Sequence, residues 1–276
     1  MKLKKKYTHS NKRQIFRLLP TGTNKLIVEE RETDKKQAYF SCFQIDNGKK
    51  IFKNLQLDEK FWLGIETIYK DIIFFHKFAK PDLPQHHGII AFGINEQKTI
   101  WEDNDRTFLF IKDDKVYTFL QMFEGREHST LNCNTGEVID ELGNDSESIN
   151  ALREETIASE DFSSYRFPSS FQPSSNISRE AIEFLQKLRE KYLISGSIEF
   201  ILMDELLMFN FHQIINPDNS LKNIFKAVDL SKGKYILEEV LNSRTNAFAP
   251  DSFFIKDDLL FLLIEKTKVG VYSIIN

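Results

Sequence analysis

Apolar and polar residues alternate along most of this chain in short runs broken by polar turns, the period of β-strands. One run sets the pattern. Ala227-Val228-Asp229-Leu230-Ser231-Lys232-Gly233-Lys234-Tyr235-Ile236-Leu237 reads as a strand, a tight turn at Ser231-Lys232-Gly233 and a second strand. Cys42–Phe52, Ala91–Trp101 and Thr130–Asp140 repeat it, with Gly48, Gln97 and Gly136 in the glycine place, and Val271–Asn276 begins it again. Its first column is small or β-branched: Cys42, Ala91, Thr130, Ala227, Val271. The next is bulky and apolar, and after the turn one column is isoleucine each time: Ile51, Ile100, Ile139, Ile236. Such columns suit hairpins packed between neighbours, with a positive φ at the turn.

Extending the register gives five units. The first is Gln14–Leu19, Lys25–Arg31, Ala38–Ile45 and Lys49–Asn54. The second is Phe61–Thr67, Asp71–Phe78, a longer loop over Ala79–His87, Gly88–Ile94 and Thr99–Trp101. The third is Thr107–Ile111, Lys115–Phe123, Glu127–Cys133 and Glu137–Glu141. The fourth is Ser197–Leu202, Leu206–Gln213, Lys222–Leu230 and Tyr235–Glu239. The fifth has only Ser252–Ile255, Leu259–Glu265 and Lys268–Ile274, and the spare strand Leu3–His9 is expected to complete it. Joining the chain ends in this way removes exposed strand edges. The expected fold is an all-β, five-bladed β-propeller of four-stranded antiparallel blades, a single domain over 1–276.

Residues 142–194 break the regularity and read as an insertion between blades three and four. The part from 142 to 176 is rich in Ser, Asn, Glu and Asp and reads as a polar loop. Ser178 then N-caps a helix to about Leu193, with Ala181, Leu185, Leu188 and Tyr192 on one stripe. That helix is expected to lie on the outside of the β body, cover one end of it or meet a partner. The blades are expected to fold without it.

Composition narrows the function classes only a little. The 276 residues are 41% hydrophobic with 25 Phe, enough for a large core. The net charge of −4 gives no basic excess for nucleic acid. No signal peptide or membrane span is legible, and Cys42 and Cys133 fall on packed columns as buried thiols. A cytoplasmic setting is expected.

The pattern Ala227-x-Asp229-x-x-x-Gly233-Lys234-x-x-Leu237, with Ala91–Trp101, resembles the repeat of PQQ-like and WD40-like β-propellers. In quinoprotein propellers the last position is a tryptophan docking between blades; here it is Trp101, then Phe52, Asp140 and Leu237. The chain also resembles an uncharacterised bacterial propeller family, a domain of unknown function, through Ile15-Phe16-Arg17-Leu18-Leu19-Pro20 and Glu29-Glu30-Arg31. These resemblances imply an architecture and no activity.

Candidate chemistry is sparse. His86-His87, with His76 nearby, is the densest imidazole cluster, but Pro81–His87 reads as a surface turn, and neither metal nor cofactor is assigned. His212 reads as an interior histidine. Glu66 and Glu199 fall on strands taken as innermost, with Asp113, Asp204 and Asp257 at turns. Arg17 and Trp62 are candidates for a ligand surface. The expected function is a non-enzymatic binding or scaffold protein, meeting a small ligand or protein partner at the channel mouth or the insertion, with candidate ligand residues Arg17, Trp62, Glu66 and Glu199. The alternatives are a glycan hydrolase with carboxylates at the channel mouth, or a small-ligand or metal sensor.

Overall fold

The computed structural model describes residues 1–80, 83–215 and 220–275. Pro81 and Asp82 of the expected loop, and Asn276 of the last repeat, lie outside these residues. The chain divides into two compact units, residues 16–45 with 49–161, and residues 1–15, 46–48 and 162–276.

Strand β1 (Lys2–Ser10) opens the chain. The first complete sheet follows as β2 (Gln14–Pro20), β3 (Lys25–Glu32), β4 (Gln37–Gln44) and β5 (Lys50–Leu55). The second is β6 (Leu63–Tyr69), β7 (Ile72–Lys80), β8 (Leu83–Gly93) and β9 (Lys98–Asp103). The third is β10 (Thr107–Lys112), β11 (Lys115–Met122), β12 (Gly125–Asn132) and β13 (Val138–Gly143). Helix α1 (Ser146–Ala158), short strands β14 (Tyr165–Arg166) and β15 (Ser169–Ser170), and helix α2 (Arg179–Lys191) come next. The fourth sheet is β16 (Ile194–Met203), β17 (Leu206–Ile215), β18 (Ser220–Asp229) and β19 (Lys234–Thr245), with β15 added at its edge. The fifth is β20 (Phe253–Lys256), β21 (Leu259–Ile264) and β22 (Lys268–Ile275), with β1 on one edge and β14 on the other. Every pairing whose register is described is antiparallel, and in the first four sheets each strand neighbours the next in the chain; the fifth sheet is a β20–β21–β22 meander flanked by β1 and β14. Five such sheets are the blade pattern of a β-propeller. Two sheets carry a fifth, two-residue strand beyond the four expected.

The pairing predicted between the first and last strands is present, with Leu3 opposite Ile274 and His9 opposite Val269. The turn column behaves as read: Gly48, Gly136 and Gly233 have positive φ, and Gln97 takes the same conformation at φ 53°. Asp113, Asp204 and Asp257 also have positive φ, which makes them turn residues. At Gly136 even a methyl group would strike the Trp101 ring, and Trp101 Nε1 donates to the Cys133 carbonyl at 2.9 Å. The repeat's tryptophan thus locks the second sheet's last strand to the third sheet's last turn.

Packing divides the columns. Cys42, Ala91, Thr130, Ala227 and Val271 are all buried, as is the bulky column after them. Burial pushes the Cys42 thiol up to about 12 and raises that of Cys133. The isoleucine column does not follow. Ile100 and Ile139 are exposed, and Ile51 and Ile236 only half-buried. It lies on an edge strand of its sheet, where β-propensity accounts for the exposed Ile100 and Ile139, while Ile51 and Ile236 still pack against the core.

The helical segment departs furthest from expectation. Residues read as a polar loop contain α1, N-capped by Asp145, whose Oδ1 accepts from Ser148 N at 3.1 Å. Only Ile149 of this helix is buried, so no apolar stripe announced it. Helix α2 is part of a core. Ala181, Leu185 and Leu188 are buried with Phe209, Phe211, Ile198 and Phe171 in one cluster of the 162–276 unit. The sheet therefore uses this helix as its cover. No helix of the described residues is long and apolar enough to cross a membrane.

Candidate functional site

In the 16–161 unit, three of the sequence candidates lie around β6. Arg17 on β2 donates from Nη1 to the Ile65 carbonyl at 2.7 Å and makes a loose 3.6 Å ion pair with Glu29. Glu29 is fully buried, and its tighter partner is Arg31, whose Nε donates to it at 2.8 Å. Arg31 also donates to the Phe61 and Leu63 carbonyls and stacks on the rings of Phe16 and Phe61. Trp62 packs edge-on against Phe61 and Phe78, and its amide donates to Glu59. Arg17 and Trp62 thus fix the entry of β6, Arg17 through the Ile65 carbonyl and Trp62 through its ring packing.

What they position is Glu66. Ile65 pairs with Phe75 and Thr67 with Phe74, so Glu66 is the extra residue of a β-bulge. A bulge re-aims the inserted side chain. The third sheet has the same bulge, filled there by Leu109, so the bulge belongs to the repeat and the glutamate is particular to this sheet. The Glu66 Oε1 accepts from His86 Nδ1 at 2.7 Å and lies 3.0 Å from His76 Nδ1. The two imidazoles stack face to face, centroids 3.5 Å apart. His76 is buried, and neither of its ring nitrogens has a well-aligned hydrogen bond. Burial pushes the Glu66 carboxyl up, and the two imidazoles more than offset this, so it is held below the usual carboxylate range. His86 stands on β8 opposite Phe78, which corrects the expected turn over Pro81–His87. The histidines had been set apart by that turn. The signal that unites them is spacing: 66, 76 and 86 are each ten residues apart, so successive hairpins bring them to one level.

Glu199 belongs to the other unit, on β16. It lines a pocket of about 270 Å³ with Ser197, Gly196, His212, Phe248 and Ala249. Its Oε2 is buried without a hydrogen-bond partner, and so is Asn210 Oδ1 beside it. Burial pushes the Glu199 carboxyl up; Asn210 pulls the other way, and the charge of Asp251 adds to the rise. A carboxyl raised in this way costs stability as pH climbs from its unfolded value through its folded one. His212 Nε2 accepts from the Ala249 amide at 3.1 Å, so its proton sits on Nδ1. Burial lowers this imidazole, keeping it neutral. The loop that carries Ala249 is tied down by a buried chain from Asn210 Nδ2 to Asn223, from Asn223 to Ser252 Oγ, and from there to the Ala249 carbonyl. Gly196, at φ +74°, leaves room for the Phe248 ring; a Cβ there would come within 2.7 Å of it and push it aside.

Comparison with known families gives one match. Residues 19–101 match the family described as Domain of unknown function (DUF4905). That segment covers the first two sheets from the end of β2 and includes Glu66, His76 and His86. No curated protein matches the chain. Among solved structures it is similar to a DUF4221 family member from Bacteroides vulgatus, at 10% identity over 99% of this chain and 97% of that one, TM-score 0.34. It is also similar to a europium-containing methanol dehydrogenase, at 11% identity, 96% of this chain and TM-score 0.33. This chain spans about half, 52%, of that dehydrogenase chain. The Dos1 propeller is similar at 11% identity, 94% and 68% coverage and TM-score 0.32. Likeness at this level transfers no residue and no activity.

Proposed function

We propose that this protein is a non-enzymatic binding protein that takes a small polar ligand in the Glu199 pocket. One observation carries the reading: Glu199, whose buried Oε2 has no hydrogen-bond partner, lines a pocket of about 270 Å³. An unmade hydrogen bond in a buried place costs about 1–3 kcal/mol, which a ligand N–H or O–H donor recovers. The exposed Phe248 ring beside it, edge-on to His212, offers an apolar wall for the rest of the molecule. The expected ligand is therefore a small amine, amide or polyol with one apolar face.

Catalysis is the weaker reading for a physical reason. A general base needs a free lone pair, and that of His212 is engaged by the Ala249 amide. In the other unit the groups closest to Glu66 are two imidazoles, where a glycan hydrolase would need a second carboxylate roughly 5–10 Å away.

Ligand-observed NMR against a panel of small amines, amides and polyols tests the proposal. Hits are expected to compete with one another and to vanish in Glu199→Ala. Hits that survive that substitution would contradict the pocket assignment, and a hit consumed during the measurement would contradict the non-enzymatic reading.

A further inference from the structure

We infer that Glu66, His76 and His86 form a binding site for a divalent transition-metal ion of the zinc class. The site stands apart from the Glu199 reading and does not depend on it. Two imidazoles and one carboxylate are the donor set of many three-ligand metal sites. Here one ligand atom from each residue lies within 4.8 Å of the other two. In a tetrahedral site with bonds of roughly 2.0–2.2 Å, neighbouring ligand atoms stand about 3.3–3.6 Å apart. The Glu66 oxygen is 2.7 Å from His86 Nδ1 and 3.0 Å from His76 Nδ1, so an ion needs only a small spreading of these contacts.

Three further observations separate this cluster from a chance surface grouping. First, His76 is 2% exposed, yet its Nε2 has no hydrogen-bond partner and its Nδ1 meets only Glu66 Oε1, at 3.0 Å and out of line. A buried imidazole left in that state has a binding capacity that the protein itself does not use. Second, the fold makes room for its ring. Gly64 pairs with His76 across β6 and β7, and a Cβ there would come within 2.8 Å of His76 Cε1 and Nε2. Third, both neighbours of His76 along the sheet are irregular. Glu66 is the bulge residue of β6, and β8 bulges at Gly88–Ile89, where Gly88 has φ +71°. Bulges of this kind re-aim side chains next to functional sites.

The stack of the two rings defines the movement that binding requires. Lone pairs of parallel imidazoles run side by side and cannot both point at one ion. His76 is buried and fixed, whereas the His86 side chain is 41% exposed. His86 is therefore the ligand that tilts, exchanging its hydrogen bond to Glu66 for a bond to the metal. The nitrogen donors disfavour magnesium and calcium, which take oxygen ligands. Three protein ligands leave a position for water or an external group, the form of an exchangeable site rather than a closed structural one.

The test uses the full chain, stripped of metal with a chelator and dialysed. Isothermal titration with zinc chloride is expected to show one ion per chain with a micromolar or tighter Kd. His86→Ala and Glu66→Gln are each expected to weaken it by about 100-fold or more, since even losing a supporting partner costs 10–100-fold. His87→Ala is the control. His87 is exposed and adjacent in sequence but outside the cluster, and its loss is expected to leave the affinity unchanged. If His86→Ala does not fold, Glu66→Gln and the visible absorption of bound cobalt(II) carry the test, the spectrum of a low-coordinate site being expected in the unsubstituted protein and lost in the variant. Absence of zinc binding, full affinity in Glu66→Gln or His86→Ala, or an equal loss in His87→Ala would each overturn the assignment.

Discussion

Replacing residues 145–193 with a short Gly/Ser linker is expected to unfold the 162–276 part of the chain. Sequence reasoning expects the opposite, because the repeat resumes in register at Ser197 without the helix. The packing of α2 decides the matter. Leu185 and Ala181 are fully buried and Leu188 nearly so, against Phe209 and Phe211, which are themselves inaccessible. Each large apolar side chain returned to water costs about 1.5–3 kcal/mol, and the linker exposes both the helix's partners and the groove it filled. The total is comparable with the roughly 5–15 kcal/mol that holds a domain together. The replacement also removes β14 and β15, which pair with β20 and β16. A milder form of the same experiment is Leu185→Ala. It is expected to cost about 2–5 kcal/mol and to lower Tm by roughly 5–10 °C at this chain length. Circular dichroism melting reads both. A shortened chain that melts cooperatively at the unaltered temperature would show that α2 is an ornament.

Deleting residues 1–10 is expected to have an effect of similar size by a different route. β1 pairs along nearly the whole of β22, from Lys2 opposite Ile275 to Ser10 opposite Lys268. Met1 and Leu3 pack against the cluster that contains Phe253, Leu260, Leu262, Tyr272 and Ile274. Without β1, the backbone groups of β22 on that side lose their partners, and a strand rich in buried apolar residues becomes an edge. The truncated protein is expected to lose about 10 °C of Tm and to elute as aggregate on size exclusion. A monomer with unchanged melting would contradict the closure of this sheet.

The β-sheets were legible because their signal is local and repeated. Each hairpin carries its own alternation and turn, so the register of Ala91 to Trp101 could be carried to Ala227 to Leu237. The pairing of β1 with β22 was legible by elimination, since one unit lacked a strand and one strand lacked a unit. Helix α1 was not, because Ile149 and Leu152 make too short an apolar face among polar residues; Asp145 as N-cap and the helix-formers from Ala151 to Glu155 were the available cues. The isoleucine column shows the converse error: a regular apolar column read as packing is exposed at Ile100 and Ile139 and only partly covered at Ile51 and Ile236. Among candidate residues, Arg17, Trp62, Glu66 and Glu199 were singled out by residue type and strand position. The structure gathers the first three around β6 and places Glu199 in a separate pocket. His76 and His86 were weighed and set aside because Ala79–His87 was read as loop. Recognising paired strands there required knowing that β7 continues to Lys80 and β8 starts at Leu83.

The reading of this protein as a ligand-binding propeller is tested most directly by crystallography of the protein soaked with the strongest small-molecule hit. The expected result is the molecule in the Glu199 pocket, with an N–H or O–H within hydrogen-bond distance of Glu199 Oε2 and its apolar face on Phe248, and an empty pocket in Glu199→Ala crystals soaked in the same way. The same molecule bound elsewhere, with Glu199 Oε2 met only by water, would contradict it.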